Sequence, residues 1–559
     1  MNFKVNETAK KLRGGYYTPD PVAVFLSRWA LACQPRTVLE PGCGDGVFVE
    51  AFCKLAAYHV SFTGVEQLTE EATKARRRAQ GSKECVVNIE NCDFLDWALK
   101  ELGTHTTFDA VVGNPPYIRY QYLEKHDQEL SENLFSYYHL RFTKRTNAWV
   151  PFVIASVGLL SPGGRLAMVV PSELLHILHA DSLREYLLSS CERVLVIDPK
   201  ELLFEDALQG TILLMLQKKT DPNQPSRGVA VTSESNNGFL NVDPDRIFAR
   251  AHYVSGDALA GKWMKLLLSP RERQILDRVS CLPMVKRFSD IASVDVGIVT
   301  GANKFFLVDD ATVKKYELQK YVFPMFGRSE DCPGVVYSSR LHKRNRQAGL
   351  PANFVQLGNV PFESLSRGAQ AYVHLGETLE LPKRYKCRIR TPWYCVPSVY
   401  QTEIGMLKRS NNYPRLILNR AKAYSTDTAY RIKVKQTSLK PDELVCGFVN
   451  SLTALSAELE GRHYGGGVLE LVPSEIEKLL IPVAPLWEAD VDTLDTEISS
   501  GADFDLTLAR QDAIVLAAAG LSEQDRAAIH RAYLKLRSRR QRLRVEKTKG
   551  EEDDCEQPS

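Results

Sequence analysis

Short runs of β-branched and other apolar residues alternate with longer helix-forming segments between about residue 36 and residue 219. This alternation is typical of a doubly wound α/β sheet, in which parallel strands are joined by helices that cover both faces. We expect strands over residues 37–40, 61–65, 108–112, 165–170, 193–197 and 211–216. The predicted fold class of this part is therefore α/β.

The rest of the chain has a different character. A polar stretch rich in turn formers, TDPNQPSRG and then SESNNG, follows Lys219 and indicates a boundary. From about 245 to 490 the alternation is lost, which favours mixed α+β structure. Between Arg531 and Lys549 nine Lys or Arg accompany one Glu in a proline-free segment typical of a helix. We predict three regions: 1–240, 241–490, and a helical basic tail over 491–559.

Composition excludes several classes of protein. The 559 residues carry 71 Lys and Arg against 68 Asp and Glu, a balance that does not by itself indicate a polyanion ligand. No apolar run approaches the roughly 18 residues of a membrane span, and no secretory signal is visible, so we expect a cytoplasmic protein. Twelve cysteines without metal-site spacing predict reduced thiols and no metal.

The segment EPGCGDG, residues 40–46, follows a predicted strand and opens a predicted helix, so its glycines let the backbone approach a ligand. Glu66 ends the next strand, where a carboxylate accepts ribose hydroxyls. The departure from GxGxxG, with Glu40 and Asp45 in the loop, favours a cationic adenosyl ligand over a pyrophosphate. The alternative is a tight structural turn beside two surface acids. The candidate cofactor-binding residues here are Glu40, Gly42, Gly44, Glu66 and Asp93, with Asp93 on the adenine amine.

The segment NPPY, residues 114–117, comes directly after the predicted strand FDAVVG. Its two prolines fix φ and remove backbone donors, which holds the Asn114 side-chain oxygen and the Pro115 carbonyl in one direction. Two such acceptors grip one NH2 group and steer its nitrogen toward attack on a methyl sulfonium. Tyr117 then offers a face for stacking a base. A proline turn that merely closes a strand is the alternative.

With these motifs, and with GYYTP at residues 15–19, the chain resembles the gamma-class N6-adenine DNA methyltransferases of type II restriction-modification systems. The resemblance implies a Rossmann-like catalytic domain that uses S-adenosyl-L-methionine, followed by a mixed α+β target-recognition domain. It implies cofactor contacts from Tyr17, Thr18 and Asn114, in addition to those above. It also implies that Asn114, Pro115 and Tyr117 are catalytic, and that Phe204 stacks on the target base with Tyr117.

The second half also resembles the family's recognition region, through VGIVTGANKFF, KCRIRTPWYCVP and ELEGRHYGGGVLELVPSE. Basic residues beside Trp393 and Tyr394 suit phosphate and base contacts. The glycines after Tyr464 favour a close approach of backbone to DNA. A solvated face or a structural loop is the alternative for each residue. The candidate DNA-binding residues are Arg384, Lys386, Arg388, Arg390 and Arg462.

The resemblance therefore implies a sequence-specific enzyme that methylates N6 of an adenine flipped out of double-stranded DNA. It implies that this methylation protects host DNA from a separate cognate restriction endonuclease, and we expect a monomer. Two alternatives stay open. One is methylation of another planar nitrogen, on a ribosomal RNA base or a release-factor glutamine. The other is a DNA-binding protein without catalytic activity.

Overall fold

The computed structural model describes residues 17–552 apart from 81, 201–209, 235, 257–260, 437–438, 465 and 485–489, with side chains up to residue 541. The chain divides into two compact units. Unit 1 comprises residues 1–267 and 542–559, and unit 2 comprises residues 268–541. The candidate residues Gly15, Tyr16 and Phe204 lie outside the described residues.

Unit 1 contains the alternating elements that the sequence predicts. Its strands are β1 Thr37–Pro41, β2 Val60–Val65, β3 Cys85–Glu90, β4 Phe108–Gly113, β5 Leu160–Pro171, β6 Cys191–Pro199, β7 Thr211–Lys218 and β8 Gly228–Glu234. Its helices are α1 Asp20–Leu31, α2 Val47–Leu55, α3 Thr69–Arg78, α4 Phe94–Gly103, α5 Lys125–Tyr137, α6 Trp149–Gly158, α7 Asp181–Ser190 and α8 Pro244–Arg250. The α/β fold class is confirmed.

One sheet joins all eight strands in the order β3-β2-β1-β4-β5-β7-β6-β8. The chain runs outward from β1 to β3 and then returns to β4 on the other side of β1. In open α/β sheets, ligands bind at the carboxyl ends of the strands beside such a reversal. The fold therefore places the candidate site where β1, β2 and β4 end.

The prediction that all strands are parallel is wrong for β7, which runs antiparallel to both β5 and β6. Only residues 200–210 separate β6 from β7, and a parallel connection normally needs a dozen or more residues with a helix. The expected strands also omit β3, which pairs in parallel with β2, and β8, which pairs in parallel with β6. The sequence GVAVTSE of β8 shows why that strand is hard to recognise. It stands between two turn-rich stretches, and its polar end conceals the strand.

The core of unit 1 explains the position of α1. Phe25 and Trp29 of α1 are fully buried and pack against Phe239 and Phe248, with ring centroids 5.4 and 4.9 Å apart. The predicted boundary at residue 240 therefore falls inside unit 1, because α8 and the residues before it pack against α1. The residues that follow the predicted boundary stretch supply part of the core of unit 1.

Unit 2 is mixed α+β and contains many short strands. These are β9 Val285–Arg287, β10 Ala292–Val296, β11 Leu307–Val308, β12 Val322–Phe326, β13 Asn353–Val355, β14 Ile404–Leu407, β15 Arg409–Ser410, β16 Leu416–Leu418, β17 Tyr424–Ser425, β18 Ala429–Val434, β19 Arg462–Tyr464, β20 Val468–Glu470 and β21 Leu480–Pro482. They form the sheets β10-β18-β14-β16, β11-β13-β12-β17, β15-β20-β19 and β21-β9.

The helices of unit 2 are α9 Pro270–Ser280, α10 Phe288–Ile291, α11 Asn303–Phe306, α12 Asp310–Lys315, α13 Ser339–Gln347, α14 Arg367–Thr378, α15 Tyr385–Arg388, α16 Pro441–Phe448, α17 Ser451–Glu460, α18 Pro473–Ile476, α19 Val491–Ser499 and α20 Phe504–Gln511, together with α21 Glu523–Glu552 as far as residue 541. The region expected to be a tail is helical from Val491, but residues 491–541 belong to unit 2. They are anchored there by buried contacts such as the ion pair between Arg540 and Glu458.

No described helix is long and apolar enough to cross a membrane. No group of three or more His, Cys, Asp or Glu in the described ranges is arranged to hold a metal ion. The cysteines of the described chain are all free thiols.

Candidate active site

Four predicted site residues stand at the ends of neighbouring parallel strands. Glu40 lies in β1, Glu66 directly follows β2, and Asn114 directly follows β4. Asp93 lies three residues after β3. Because these strands are adjacent in the sheet, their carboxyl ends form one edge, as the order of motifs in the sequence predicts.

The glycine loop between β1 and α2 is shaped for close packing on one side and for access on the other. Gly46 has φ +88°, and a Cβ there would lie 2.7 Å from the Ala75 Cα on α3. Gly44 has φ +52°, and a Cβ there would meet nothing within 4 Å. Gly46 is therefore required for helix packing, whereas the Gly44 backbone faces open space that a ligand can enter. Gly42 lies between them and the strand, beside Pro116.

Glu66 ties this loop to β2. Its carboxylate accepts hydrogen bonds from the backbone amides of Gly44, at 2.9 Å, and of Leu68, at 2.8 Å. Burial raises the pKa of Glu66, although these two bonds oppose the rise. Each carboxylate oxygen has a further lone pair, so Glu66 can hold the loop and still accept from a ligand hydroxyl.

Glu40 is a buried carboxylate, 2% exposed, whose Oε2 has no hydrogen-bond partner within the described structure. Burial raises the pKa of Glu40 well above its ordinary value, and the nearby Asp45 and Glu66 raise it further. Asp45 is itself paired with Arg78 at 2.7 Å. A buried acceptor among carboxylates is costly unless a donor or a cation completes it. The Glu40 carboxyl is therefore a buried acceptor whose hydrogen bonding is incomplete within the described residues.

Asp93 serves first as the N-cap of α4. Its Oδ1 accepts a hydrogen bond from the Asp96 amide at 2.9 Å, which satisfies one of the free donors at the helix start. The cap fixes the side chain at the end of the β3 segment. The carboxylate keeps further lone pairs for a ligand amine.

Asn114 connects NPPY with the start of the chain. Its Nδ2 donates a hydrogen bond to Thr18 Oγ1 at 3.2 Å, across 96 residues of sequence. A Cβ on the preceding Gly113 would lie 3.7 Å from Glu40 Cγ, so Asn114 begins next to the buried carboxylate. Pro115 is buried and Thr18 is 6% exposed. The structure thus brings together residues that the sequence placed in three separate motifs.

Tyr117 and Tyr17 lie at the rim of the site. The Tyr117 hydroxyl donates to the Val169 carbonyl of β5 at 3.1 Å, which orients a half-buried ring. Tyr17 is exposed, and its hydroxyl lies 3.3 Å from Glu71 Oε1 on α3. Sequence reasoning missed both anchors, Val169 and Glu71. A backbone carbonyl in a strand and one acid among several on a helix give no signal.

The predicted basic cluster of unit 2 divides into exposed and engaged residues. Arg384, Lys386 and Arg388 are exposed on or beside α15. Arg390 instead donates to the carbonyls of Val299, at 2.7 Å, and Thr300, at 2.8 Å. The guanidinium of Arg390 thus stabilises a loop of unit 2.

The aromatic side chains next to this cluster are arranged differently from the expectation. Tyr394 is in the core of unit 2 and donates to the Val360 carbonyl, and Trp393 packs against Phe305 at 5.4 Å. The exposed aromatic residue of the cluster is Tyr385, which is 63% exposed and which the sequence analysis did not single out.

Arg462 is also engaged within unit 2. Its Nε donates to Glu475 Oε1 at 3.1 Å, and both side chains are largely buried. The adjacent His463 packs against Glu458. These contacts fix the start of the glycine turn that follows Tyr464, where Gly466 and Gly467 have positive φ.

Two family models match the chain. The model of the Eco57I restriction-modification methylase matches residues 19–204, and the model of the C-terminal domain of type II methyltransferase M.Eco57I matches residues 260–516. The chain is 25% identical over 485 residues to type II methyltransferase M.AccI of Acinetobacter calcoaceticus, covering 83% of this chain and 84% of that protein.

Type II methyltransferase M.BstVI of Geobacillus stearothermophilus is 25% identical over 357 residues, covering 55% of this chain and 62% of that protein. Among solved structures, the type IIG restriction endonuclease BpuSI has a TM-score of 0.44 and 13% identity, covering 96% of this chain and 67% of that chain. The two family matches follow one another along the chain, the first within unit 1 and the second over most of unit 2.

Proposed function

Because the chain belongs to the type II restriction-modification methyltransferases, we propose that it methylates N6 of one adenine within a specific sequence of double-stranded DNA. S-adenosyl-L-methionine is the cofactor. Acting as a monomer, the enzyme protects host DNA from a separate cognate restriction endonuclease. Each named relative is a type II methyltransferase, which favours DNA over RNA or a release factor as the substrate.

The position of Asn114 and Pro115 at the end of β4 supports an amine as the methyl acceptor. An exocyclic amine on a base is a poor nucleophile because its lone pair is delocalised into the ring. Two acceptors on its hydrogens, the Asn114 oxygen and the Pro115 carbonyl, favour the tetrahedral geometry of the attacking nitrogen. The NPPY motif favours adenine, although the N4 amine of cytosine suits the same chemistry, so the product nucleoside is the decisive observation.

The residues at the strand ends fit S-adenosyl-L-methionine. The unpartnered Glu40 Oε2, with Asp45 and Glu66 nearby, suits a ligand that carries positive charge. The open space at Gly44 admits the ligand beside the loop. Glu66 would hold the ribose hydroxyls and Asp93 the adenine amine, with Tyr17, Thr18 and Gly42 completing the site. When bound, the cofactor supplies a methyl group already activated on sulfur.

The protein's remaining task is to position the base. Flipping an adenine out of the duplex costs a few kcal/mol. Stacking on Tyr117 and hydrogen bonds at Asn114 and Pro115 offset this cost, and Phe204 is a second proposed stacking residue. Arg384, Lys386 and Arg388, all exposed, are proposed to contact the phosphate backbone. Arg390, two residues after Arg388, would support that surface through its contacts with Val299 and Thr300.

The proposal is tested by the product. Plasmid DNA from a methylation-deficient host is incubated with the full chain and labelled cofactor, digested to nucleosides and analysed by mass spectrometry. We expect N6-methyladenine at one kind of site. Label in N4-methylcytosine, or none in DNA while RNA or a release factor is labelled, would contradict the proposal.

Glu66→Ala is expected to raise the dissociation constant of S-adenosyl-L-methionine at least about tenfold, because charge-assisted hydrogen bonds worth about 1.5–3 kcal/mol each are lost. Isothermal titration calorimetry measures this change. Glu70→Ala is the matched control, since Glu70 lies nearby on α3 with a side chain 85% exposed. Equal affinities for the Glu66 variant and the control would exclude a cofactor contact at Glu66.

Tyr117→Ala is expected to weaken binding of an unpaired adenine by about 1–3 kcal/mol, the scale for losing one stacking surface. Tyr117→Phe keeps the aromatic ring and removes the hydroxyl that donates to Val169, so it should retain most of the affinity. Fluorescence of 2-aminopurine at the target position reports the flipped state. Equal emission in the alanine variant and the parent would show that Tyr117 does not stack on the base.

A further inference from the structure

Helix α13 of unit 2 carries an unusual concentration of positive charge. Its nine residues, Ser339–Gln347, include four Lys or Arg and no acid. All four basic residues are exposed, and Arg346 pairs with Asp310, which leaves Arg340, Lys343 and Arg344 beside the exposed Gln347. Positions i, i+3, i+4 and i+7 lie on one side of a helix, so these residues form a single continuous face. We call it the α13 basic face.

The helix is held in place without using that face. The Ser338 side chain caps its first turn by accepting from the Leu341 amide at 3.2 Å. On the inner side, His342 Nδ1 lies 3.1 Å from the Tyr337 hydroxyl, and Asn345 Nδ2 donates to the Asp331 carbonyl at 2.7 Å. Arg346, outside the face, pairs with Asp310 on α12 at 2.7 Å. The backbone of α13 is therefore anchored independently of the basic face.

Arg340, Lys343 and Arg344 form no ion pair with any described residue. Other basic residues on helices of this chain are paired; for example, Arg78 of α3 forms ion pairs with both Asp45 and Glu50. Like charges at i+3 and i+4 destabilise a helix by roughly 0.2–0.5 kcal/mol per pair, and a cation in the first turn opposes the helix dipole. The chain maintains these repulsions without an internal counter-charge.

We propose that the α13 basic face binds the phosphate backbone of duplex DNA during target recognition; this inference rests on the proposed function. Arg340 and Arg344 are separated by about 6 Å along the helix axis. Duplex DNA carries about three to four phosphate charges over that length, so the charge densities match. The α13 basic face positions the duplex but does not read its sequence, because phosphate contacts carry no base information.

The test compares two triple variants of the full chain. R340A/K343A/R344A removes the α13 basic face. K286A/K320A/K433A removes three exposed lysines from separate parts of unit 2, so both variants lose the same net charge. Fluorescence anisotropy with a labelled 30-base-pair duplex of mixed sequence, between 50 and 200 mM NaCl, gives the slope of log affinity against log salt concentration.

We expect the face variant to reduce the magnitude of the salt slope by about 2.7, at about 0.9 per phosphate contact, and to bind at least about tenfold more weakly at 100 mM NaCl. The dispersed control should keep the parent slope. A reduction of the salt slope by less than about 0.9 relative to the dispersed control would overturn the inference. If the triple variant does not fold, the single variants R340Q and R344Q are measured instead. Each is expected to reduce the magnitude of the salt slope by about 0.9.

R340K/R344K tests the kind of contact. A phosphate contact tolerates lysine as a point charge, so the salt slope and the site preference should both stay parental. Loss of site preference with lysine would instead assign bidentate base reading to these arginines and overturn phosphate binding. If the unmodified protein binds duplex DNA but forms no N6-methyladenine, the proposed function is contradicted and DNA binding by the α13 basic face is not. If the unmodified protein methylates DNA and R340A/K343A/R344A binds DNA like the dispersed control, only the inference about the α13 basic face is contradicted.

Discussion

Replacing Asn114 with alanine is expected to reduce methyl transfer about a thousandfold, while the cofactor dissociation constant changes by no more than about tenfold. The amide acts on the target amine as charge develops on its nitrogen, so its loss falls on the chemical step. On the cofactor side, Asn114 donates a hydrogen bond to Thr18. Transfer of labelled methyl groups to plasmid DNA under single-turnover conditions measures the rate, and calorimetry measures cofactor affinity.

Thr18→Val is the matched control for this variant. It removes the hydroxyl that accepts from Asn114 Nδ2 but keeps the amide and nearly the same volume. We expect it to cost no more than about tenfold in rate, the scale of one hydrogen bond. If Thr18→Val lowers the rate as much as Asn114→Ala does, Asn114 acts by shaping the site and not on the amine.

Replacing Arg540 with methionine is expected to destabilise unit 2 by about 3–5 kcal/mol, the cost of breaking a buried ion pair. Arg540 and Glu458 are both fully buried, with Arg540 Nη2 2.6 Å from Glu458 Oε1. The Arg540 guanidinium also donates to the carbonyls of Asn411, Asn412 and Gly467, which would lose their partner. Urea unfolding monitored by circular dichroism measures this change as a fall in the midpoint concentration of urea.

Arg531→Met is the control, because Arg531 is exposed on the same helix and surface substitutions usually change stability by less than about 0.5 kcal/mol. Equal urea midpoints for the two variants would contradict the structural role of Arg540.

The ion pair between Arg540 and Glu458 also predicts that unit 2 is sensitive to acid. Burial would raise the pKa of Glu458, but Arg540 and His463 lower it to about 2. Its stabilisation is therefore complete above about pH 4.5 and lost as the pH falls toward 2.

The position of the candidate site in unit 1 was predictable because its sequence signals are local. Strongly apolar runs mark β1, β2 and β4, and the residues that follow them are the polar groups of the site. Since parallel strands end at a common edge, the order of motifs along the chain implies that Glu40, Glu66 and Asn114 lie together. The hydrogen bond from Asn114 to Thr18 depends on tertiary packing, and spacing alone does not reveal it.

The direction of β7 and the existence of β8 were not predictable from the same signals. Strand direction depends on what the connection before the strand can span, and only residues 200–210 lie between β6 and β7. The polar residues around β8 resemble a linker, yet its paired edge and the Phe239 and Phe248 rings beyond it complete the core of unit 1. Composition registers polarity, whereas burial depends on neighbours from elsewhere in the chain.

The DNA-contact predictions show the same limit on the other unit. Arg384 and Arg390 belong to one basic run, but the first is exposed and the second holds two carbonyls of the loop at Val299 and Thr300. A charge pattern cannot distinguish a free cation from one that is engaged. The sequence analysis overlooked the α13 basic face because its charged residues belong to no recognisable motif.

The proposed methylation is tested by single-molecule sequencing of DNA from methylation-deficient cells that express the full chain, compared with cells that express Asn114→Ala. We expect N6-methyladenine at one defined sequence context in the first sample and none in the second. Methylation of a different base, N6-methyladenine without a sequence context, or unchanged modification with Asn114→Ala would contradict it.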